Sequence, residues 1–246
     1  MIEPASRIER ELRAAGDPDR AEQEKRYLKS RLEHHGVSVP AIRRIARDSW
    51  REAGGLPRDA LLATVEALWA RPVHECRMSA VELLELGADE LAPQDIALVE
   101  RLIRESGTWA LVDGLAASVT APLVERHPEL GAVLDRWAVD DDFWLRRSAL
   151  LALLPPLRRG GGDFERFGRY AEAMLGDREP FVRKAIGWVL RDTARRRPEL
   201  VAAWLEPRVA RASGVTVREA VKHLPPDRRG QILDRHRRAT TEGRSG

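Results

Sequence analysis

An all-α fold is what this sequence predicts, and three observations carry the prediction. Apolar residues recur at helical spacing along nearly all of the 246 residues, Pro and Gly punctuate them at short intervals, and β-branched runs are few. The helices pair with a period in the mid-thirties, marked by two copies of one hinge, Arg126-His-Pro-Glu-Leu130 and Arg197-Pro-Glu-Leu200. Helix pairs repeating at that interval must stack on their neighbours to bury their apolar faces, which describes an α-solenoid of HEAT-like helix pairs with a concave surface.

Taken in order, the spacing predicts helices over Ala5 to Ala15, Ala21 to His34, Val39 to Ala53 and Arg58 to Ala70. Next come Val73 to Gly87, Pro93 to Ile103, Trp109 to Glu125 and Pro128 to Val139. The second half continues with Phe143 to Leu154, Phe164 to Leu175, Pro180 to Arg197, Pro198 to Ala210 and two more helices after Val215. Pro93, Pro128, Pro180 and Pro198 stand at or near helix starts, where the missing N–H would have no helical partner anyway. The stretch from Pro155 to Gly162 reads as a loop, and residues 239–246 as a disordered tail, leaving one repeat domain over 1–238.

The formal charge of +3 conceals an asymmetry. From Phe143 onward there are 23 Lys plus Arg against 12 Asp plus Glu, a net +11, which leaves −8 for the residues before it. A polyanion is drawn to the second part. Arg outnumbers Lys by 38 to 4, a bias that a GC-rich bacterial genome explains as readily as phosphate recognition, so the positions of the arginines weigh more than their number.

Several chemistries are excluded. Cys76 is the one cysteine, so neither a disulfide framework nor a Cys-based metal site is expected. The six histidines, at 34, 35, 74, 127, 223 and 236, show no ligand spacing on one helix, and no metal or cofactor is expected. Gly160-Gly-Gly162 follows no strand and reads as a linker, and no Ser-His-Asp elbow is recognisable. The polar start and the lack of any apolar run of membrane-spanning length point to a bacterial cytoplasm, and a monomer is expected.

The segment Gly107-Thr-Trp-Ala-Leu-Val-Asp-Gly114 places Trp109 and Asp113 four residues apart, hence on one face of a helix. An indole face beside a carboxylate attracts an electron-poor or cationic group; the same spacing also fits a core aromatic followed by a solvated or capping acid. Phe143-Trp-Leu-Arg-Arg-Ser148 and Lys184-Ala-Ile-Gly-Trp-Val-Leu-Arg191 each add a Trp and an Arg about one repeat further on, and a solenoid brings Asp113, Trp109 and Trp188 to one cleft. Arg147 follows Arg146, so one of the two faces that cleft. The run Arg195-Arg-Arg197 adds charge or forms a solvated helix face.

The stretches Lys25-Arg-Tyr-Leu-Lys29, Trp109-Ala-Leu-Val-Asp113, Trp144-Leu-Arg-Arg147, Phe181 to Arg191 and Arg218 to Leu224 resemble the AlkD-type DNA alkylation repair glycosylases, from about Ile8 to Leu224. The resemblance implies HEAT-like repeats with a concave DNA-binding cleft and excision of cationic alkylated purines such as 3-methyladenine and 7-methylguanine from double-stranded DNA. It implies that this happens without a base-flipping pocket, so that bulky adducts are tolerated. Asp113 then matches the catalytic carboxylate, Trp109 and Trp188 the two cleft indoles, Arg147 a DNA-contacting arginine and Tyr27 an N-terminal aromatic. Arg191, which ends the most specific string, Ala185 to Arg191, and Lys184, which precedes it, join the DNA-binding set. Thr108 departs from relatives that carry a second Trp there. Two alternatives remain open at this stage: a self-resistance glycosylase against one genotoxic natural product, and a non-catalytic HEAT scaffold that binds DNA or protein.

Overall fold

In the computed structural model, which describes residues 4–242, the chain is all-α. No strand occurs among the described residues; the one sheet-like contact is an isolated parallel bridge between Glu33 and Val73. No described helix is long and apolar enough to cross a membrane. The chain divides into two compact units, Met1–His127 and Pro128–Gly246.

The first unit contains α1 (Pro4–Ala14), α2 (Pro18–Leu28), α3 (Val39–Glu52), α4 (Arg58–Trp69), α5 (His74–Leu86), α6 (Ile96–Glu105), α7 (Trp109–Gly114) and α8 (Ala121–Arg126). At its centre is α5, buried at ten of its thirteen positions, which packs against α1, α3, α4 and α7. The flanking helices bury one stripe each. In α3 the stripe is Ile42, Ile45, Ala46 and Ser49, spaced i, i+3, i+4, i+7, and in α6 it is Ile96, Val99, Leu102 and Ile103, spaced i, i+3, i+6, i+7, each one face of an amphipathic helix. Each fully buried Leu or Ile here contributes about 1.5–3 kcal/mol from area removed from water.

The second unit contains α9 (Gly131–Trp137), α10 (Phe143–Leu151), α11 (Leu154–Arg158), α12 (Phe164–Ala173), α13 (Pro180–Ala194), α14 (Pro198–Leu205), α15 (Gly214–Ala220) and α16 (Pro226–Glu242). Here α13 is central, packing against α10, α11, α14 and α15. Gly187 makes the closest of these approaches possible: a Cβ on it would lie 2.8 Å from the Glu219 Cβ and 3.2 Å from the Thr216 Cα of α15.

Helix boundaries differ from the sequence reading where local chemistry intervenes. The helix expected over Ala21 to His34 begins at Pro18, because Asp17 accepts from the amides of Asp19 and Arg20 and Pro18 fills the first turn. It ends at Leu28, because Lys29 turns left-handed at φ 51°. The stretches expected to open helices at Pro93 and Pro128 are single 3-10 turns before α6 and α9. The expected loop at 155–162 is α11 through Arg158 and irregular only beyond it. Residues 239–242 continue α16, and 243–246 lie outside the described residues.

Candidate functional site

In the first unit, the helix expected over Trp109 to Glu125 is three pieces. Thr108, buried and extended, opens α7 by accepting from the Ala110 amide at 3.4 Å. After Gly114 the chain widens into a π-helical turn, Leu115–Thr120, where the Ala121 amide reaches back to the Ala116 carbonyl and Thr120 Oγ1 donates to the Leu115 carbonyl at 2.9 Å. Regular α geometry resumes at α8. Gly114 holds α7 tightly against α5, since a Cβ on it would lie 2.7 Å from Val81 Cγ1. A π turn inside a helix re-aims the side chains beside it and recurs at functional sites.

On this framework Leu111 and Val112 face inward, while Trp109 and Asp113 are both half-buried and share the other face one turn apart. Tyr27, 74 % exposed on α2, meets Trp109 edge to face, with ring centroids 6.2 Å apart and planes at 89°. That is the geometry in which one ring's positive edge meets the other's negative face. Three of the residues picked out from the sequence, Tyr27, Trp109 and Asp113, therefore come together in one unit.

The other four lie in the second unit, in two groups. Trp188, half-buried in the middle of α13, donates its indole N–H to Asp192 Oδ2 at 3.2 Å. Asp192 is buried and also receives Arg158 Nε at 2.9 Å and Arg191 Nε at 3.0 Å, while Arg191 Nη1 reaches Glu219 Oε2 at 2.6 Å. Arg191 thus ties α13 to α15 through Glu219 while also holding Asp192 on its own helix. Burial works to raise the Asp192 carboxyl, yet the hydrogen bonds from Arg191 and Arg158 outweigh it and hold the group below its ordinary range. Burial, followed by the nearby Arg195 and Arg191 cations, lowers the His223 imidazole.

The second group surrounds Phe181. Its ring packs on Trp144 at 5.0 Å, the Lys184 ammonium lies 5.8 Å from its centroid, and its carbonyl accepts from Arg147 Nη1. Arg147 is 5 % exposed, whereas Lys184 is exposed. Of the adjacent pair expected to offer one arginine to a ligand, Arg146 instead braces a loop, with Nε on Asp177 at 2.8 Å and Nη1 on the Asp140 and Asp141 carbonyls. The sequence reading missed Asp192 as the partner of Trp188, although its spacing repeats that of Trp109 and Asp113. It also missed Phe181 as the platform for Lys184 and Arg147.

An indole and a carboxylate side by side create a place of negative potential lined by a polarisable face. A unit positive charge about 4 Å from the carboxylate gains about 4 kcal/mol at an effective dielectric near 20. The site suits a reaction in which positive charge develops on the bound molecule.

The sequence profile of a family described as DNA alkylation repair enzyme matches residues 8–224. Among solved structures, a predicted DNA alkylation repair enzyme from Enterococcus faecalis superposes with a TM-score of 0.77 at 21% identity, covering 86% of this chain and 97% of that one. AlkD2 from Streptococcus mutans gives 0.54 at 16% identity over 89% of this chain and 97% of its own, and smu.31 from Streptococcus mutans UA159 gives 0.53 at 16% over 90% and 100%. These likenesses share the all-α helical-repeat fold. No curated protein matches the chain by sequence.

Proposed function

The chain belongs to the DNA alkylation repair enzyme family, and from that premise we propose that it is a monofunctional DNA glycosylase acting on cationic N3- and N7-alkylated purines in duplex DNA. The observation that carries the proposal is the half-buried Asp113 one helical turn from Trp109, whose ring is braced edge-on by Tyr27.

A purine alkylated at N3 or N7 already bears a positive charge, so it departs as a neutral base and needs no proton donor. The N-glycosidic bond breaks with its electron pair going to the base, and positive charge develops on the deoxyribose, as in other glycosidic cleavages. Asp113 stabilises that charge and orients the water whose oxygen bonds to C1′. The water's second proton passes to solvent, leaving free base and an abasic site. The electrostatic gain of about 4 kcal/mol corresponds to nearly a thousandfold in rate. The indole face of Trp109 adds about 0.5–2 kcal/mol by cation-π attraction.

Lys184, exposed above Phe181, is assigned to the DNA backbone together with Arg147 and Arg191. Phosphate contacts position the duplex without reading its sequence. The reaction proceeds without extruding the nucleotide into an enclosed pocket, so bulky N3 and N7 adducts are accepted alongside 3-methyladenine and 7-methylguanine.

The test is release of free base from duplexes carrying 7-methylguanine, 3-methyladenine, 1,N6-ethenoadenine or uracil, with wild type and Asp113→Asn. The proposal expects release of the two cationic bases only, lost in the variant while DNA binding persists. Equal release by Asp113→Asn, or efficient release of the neutral bases, overturns it.

A further inference from the structure

The helix that presents Tyr27 is held unusually: no residue of α2 is buried. Its attachment runs instead through the segment that follows it. Asp17, its N-cap, donates its amide to the His35 carbonyl at 2.8 Å. Residues 35–37 are gripped by the carboxylate of Glu75, fully buried in the first turn of α5, which accepts the Gly36 amide at 2.6 Å, the His35 amide at 3.0 Å and the Val37 amide at 3.2 Å.

Against that clamp lies an unexplained imidazole. His34 is 8 % exposed, stacks on His74 at 4.5 Å with the planes 9° apart, and has both ring nitrogens buried without a hydrogen-bond partner. A neutral imidazole offers one donor and one acceptor, and each left unmade inside a protein costs free energy. The nearest candidates are carboxylates. One ligating atom each from Glu24 on α2, His34 and Glu75 all lie within 4.8 Å of one another, a spacing too wide for direct hydrogen bonding throughout and suited to a shared central atom.

We propose that Glu24, His34 and Glu75 form a divalent-cation site of the zinc class that fastens α2, and with it Tyr27, to α5. One imidazole nitrogen and two carboxylate oxygens are three protein ligands of the kind zinc takes, and two carboxylates neutralise its charge. The backbone amides on Glu75 orient that carboxylate as an outer shell orients a metal ligand. Access is provided by a cavity of about 380 Å³ lined by Gly16, Pro18, Ala21, His34 and His35, with Arg13 at its side. Glu24 also pairs with Arg20 at 3.3 Å, an ion pair open enough to solvent to contribute little, and one that leaves the second carboxylate oxygen available.

The sequence reading found no ligand spacing because it sought histidines on one helix; these ligands come from α2, the segment after it and α5. The inference is independent of the glycosylase reading. Its test is titration of the chelator-treated full chain with Zn²⁺ by calorimetry, with Mg²⁺ as the contrast, alongside hydrogen exchange of the α2 amides. One equivalent of Zn²⁺ should bind, α2 exchange should slow, and Glu24→Gln and His34→Gln should each weaken binding at least about tenfold, since even groups that only orient a ligand cost that much when lost. Glu24→Gln sits on a helix with no buried side chain, so it keeps the test usable if His34→Gln misfolds. No stoichiometric binding, unchanged affinity in Glu24→Gln, or unaltered α2 exchange on Zn²⁺ addition overturns the proposal.

Discussion

Trp188 donates its indole N–H to the carboxylate of Asp192 one turn further along α13, and Arg158 and Arg191 close on the same carboxylate. The same Trp-x-x-x-Asp spacing occurs in Trp109 and Asp113 of the first unit, with different surroundings. Asp192 is buried and its charge is consumed by two guanidinium groups, so it fixes the plane of Trp188. Asp113 is half-buried on a short helix that opens into a π turn, and it is the carboxylate that the proposed reaction uses.

Asp192→Asn should therefore lower stability, by about 2 kcal/mol, the order of magnitude for charged hydrogen bonds lost inside a protein. The sign with pH follows from its depressed carboxyl. The stabilisation is fully present above the ordinary aspartate value of 3.8 and is lost as pH falls through the lower value of the folded state. Urea unfolding of wild type and Asp192→Asn should show the gap between them shrinking in that acid range; a constant gap would remove Asp192 from the acid response.

Asp113→Asn should behave oppositely, with excision reduced at least about a hundredfold and melting temperature little changed, because the substitution removes charge and keeps shape. Single-turnover excision and thermal melting of the same samples measure both. Near-normal excision would mean that another group stabilises the sugar.

Tyr27→Ala and Trp109→Ala separate bracing from catalysis. Tyr27 is 74 % exposed, so its truncation should shift stability by no more than about 0.5 kcal/mol. Trp109→Ala should slow excision by about 2- to 30-fold through lost cation-π attraction, with a smaller change in DNA affinity, since the sugar cation exists only near the transition state. A loss confined to affinity would recast Trp109 as a binding surface.

The helical repeats were legible in the sequence because amphipathic stripes such as that of α6 set them directly. What could not be read were the points where the backbone changes geometry. The left-handed Lys29 that frees residues 30–38 from α2 bears no glycine, and the π turn after Gly114 leaves the apolar periodicity almost intact. Trp109, Asp113 and Tyr27 were readable as residue types, but the contact between Tyr27 and Trp109 spans 82 positions and depends on how α2 meets α7. Arg147 looked like a surface arginine; its bond to the Phe181 carbonyl follows from the packing of α10 on α13. The Glu24, His34 and Glu75 grouping was hidden because its members stand on separate segments.

Cys76 is fully buried, and burial first, with Glu9 adding to it, pushes its thiol up to about 12. Almost no thiolate exists near neutral pH, and the thiolate is the reactive form. Ellman's reagent should find no reactive thiol in the folded protein and one per chain after denaturation. Rapid reaction of the native protein would show that α5 opens locally.

DNA affinity should fall steeply with salt, because cations that neutralise phosphates release condensed counterions. Lys184 and Arg147 should contribute to this in distinguishable ways. The Lys184 ammonium is exposed above Phe181, so Lys184→Ala should leave stability unchanged and reduce the slope of log affinity against log salt by about 0.9, one phosphate contact, equally for all sequences and lesions. Arg147 is 5 % exposed and bonded to the Phe181 carbonyl, so Arg147→Ala should lower the melting temperature as well as affinity, removing a buried charged hydrogen bond that joins α10 to α13. Arg147→Lys keeps the charge but not the planar fork, and should recover the salt slope better than the stability. An affinity indifferent to salt, or a Lys184→Ala defect seen with one base sequence only, would place recognition in base edges and overturn the backbone assignment.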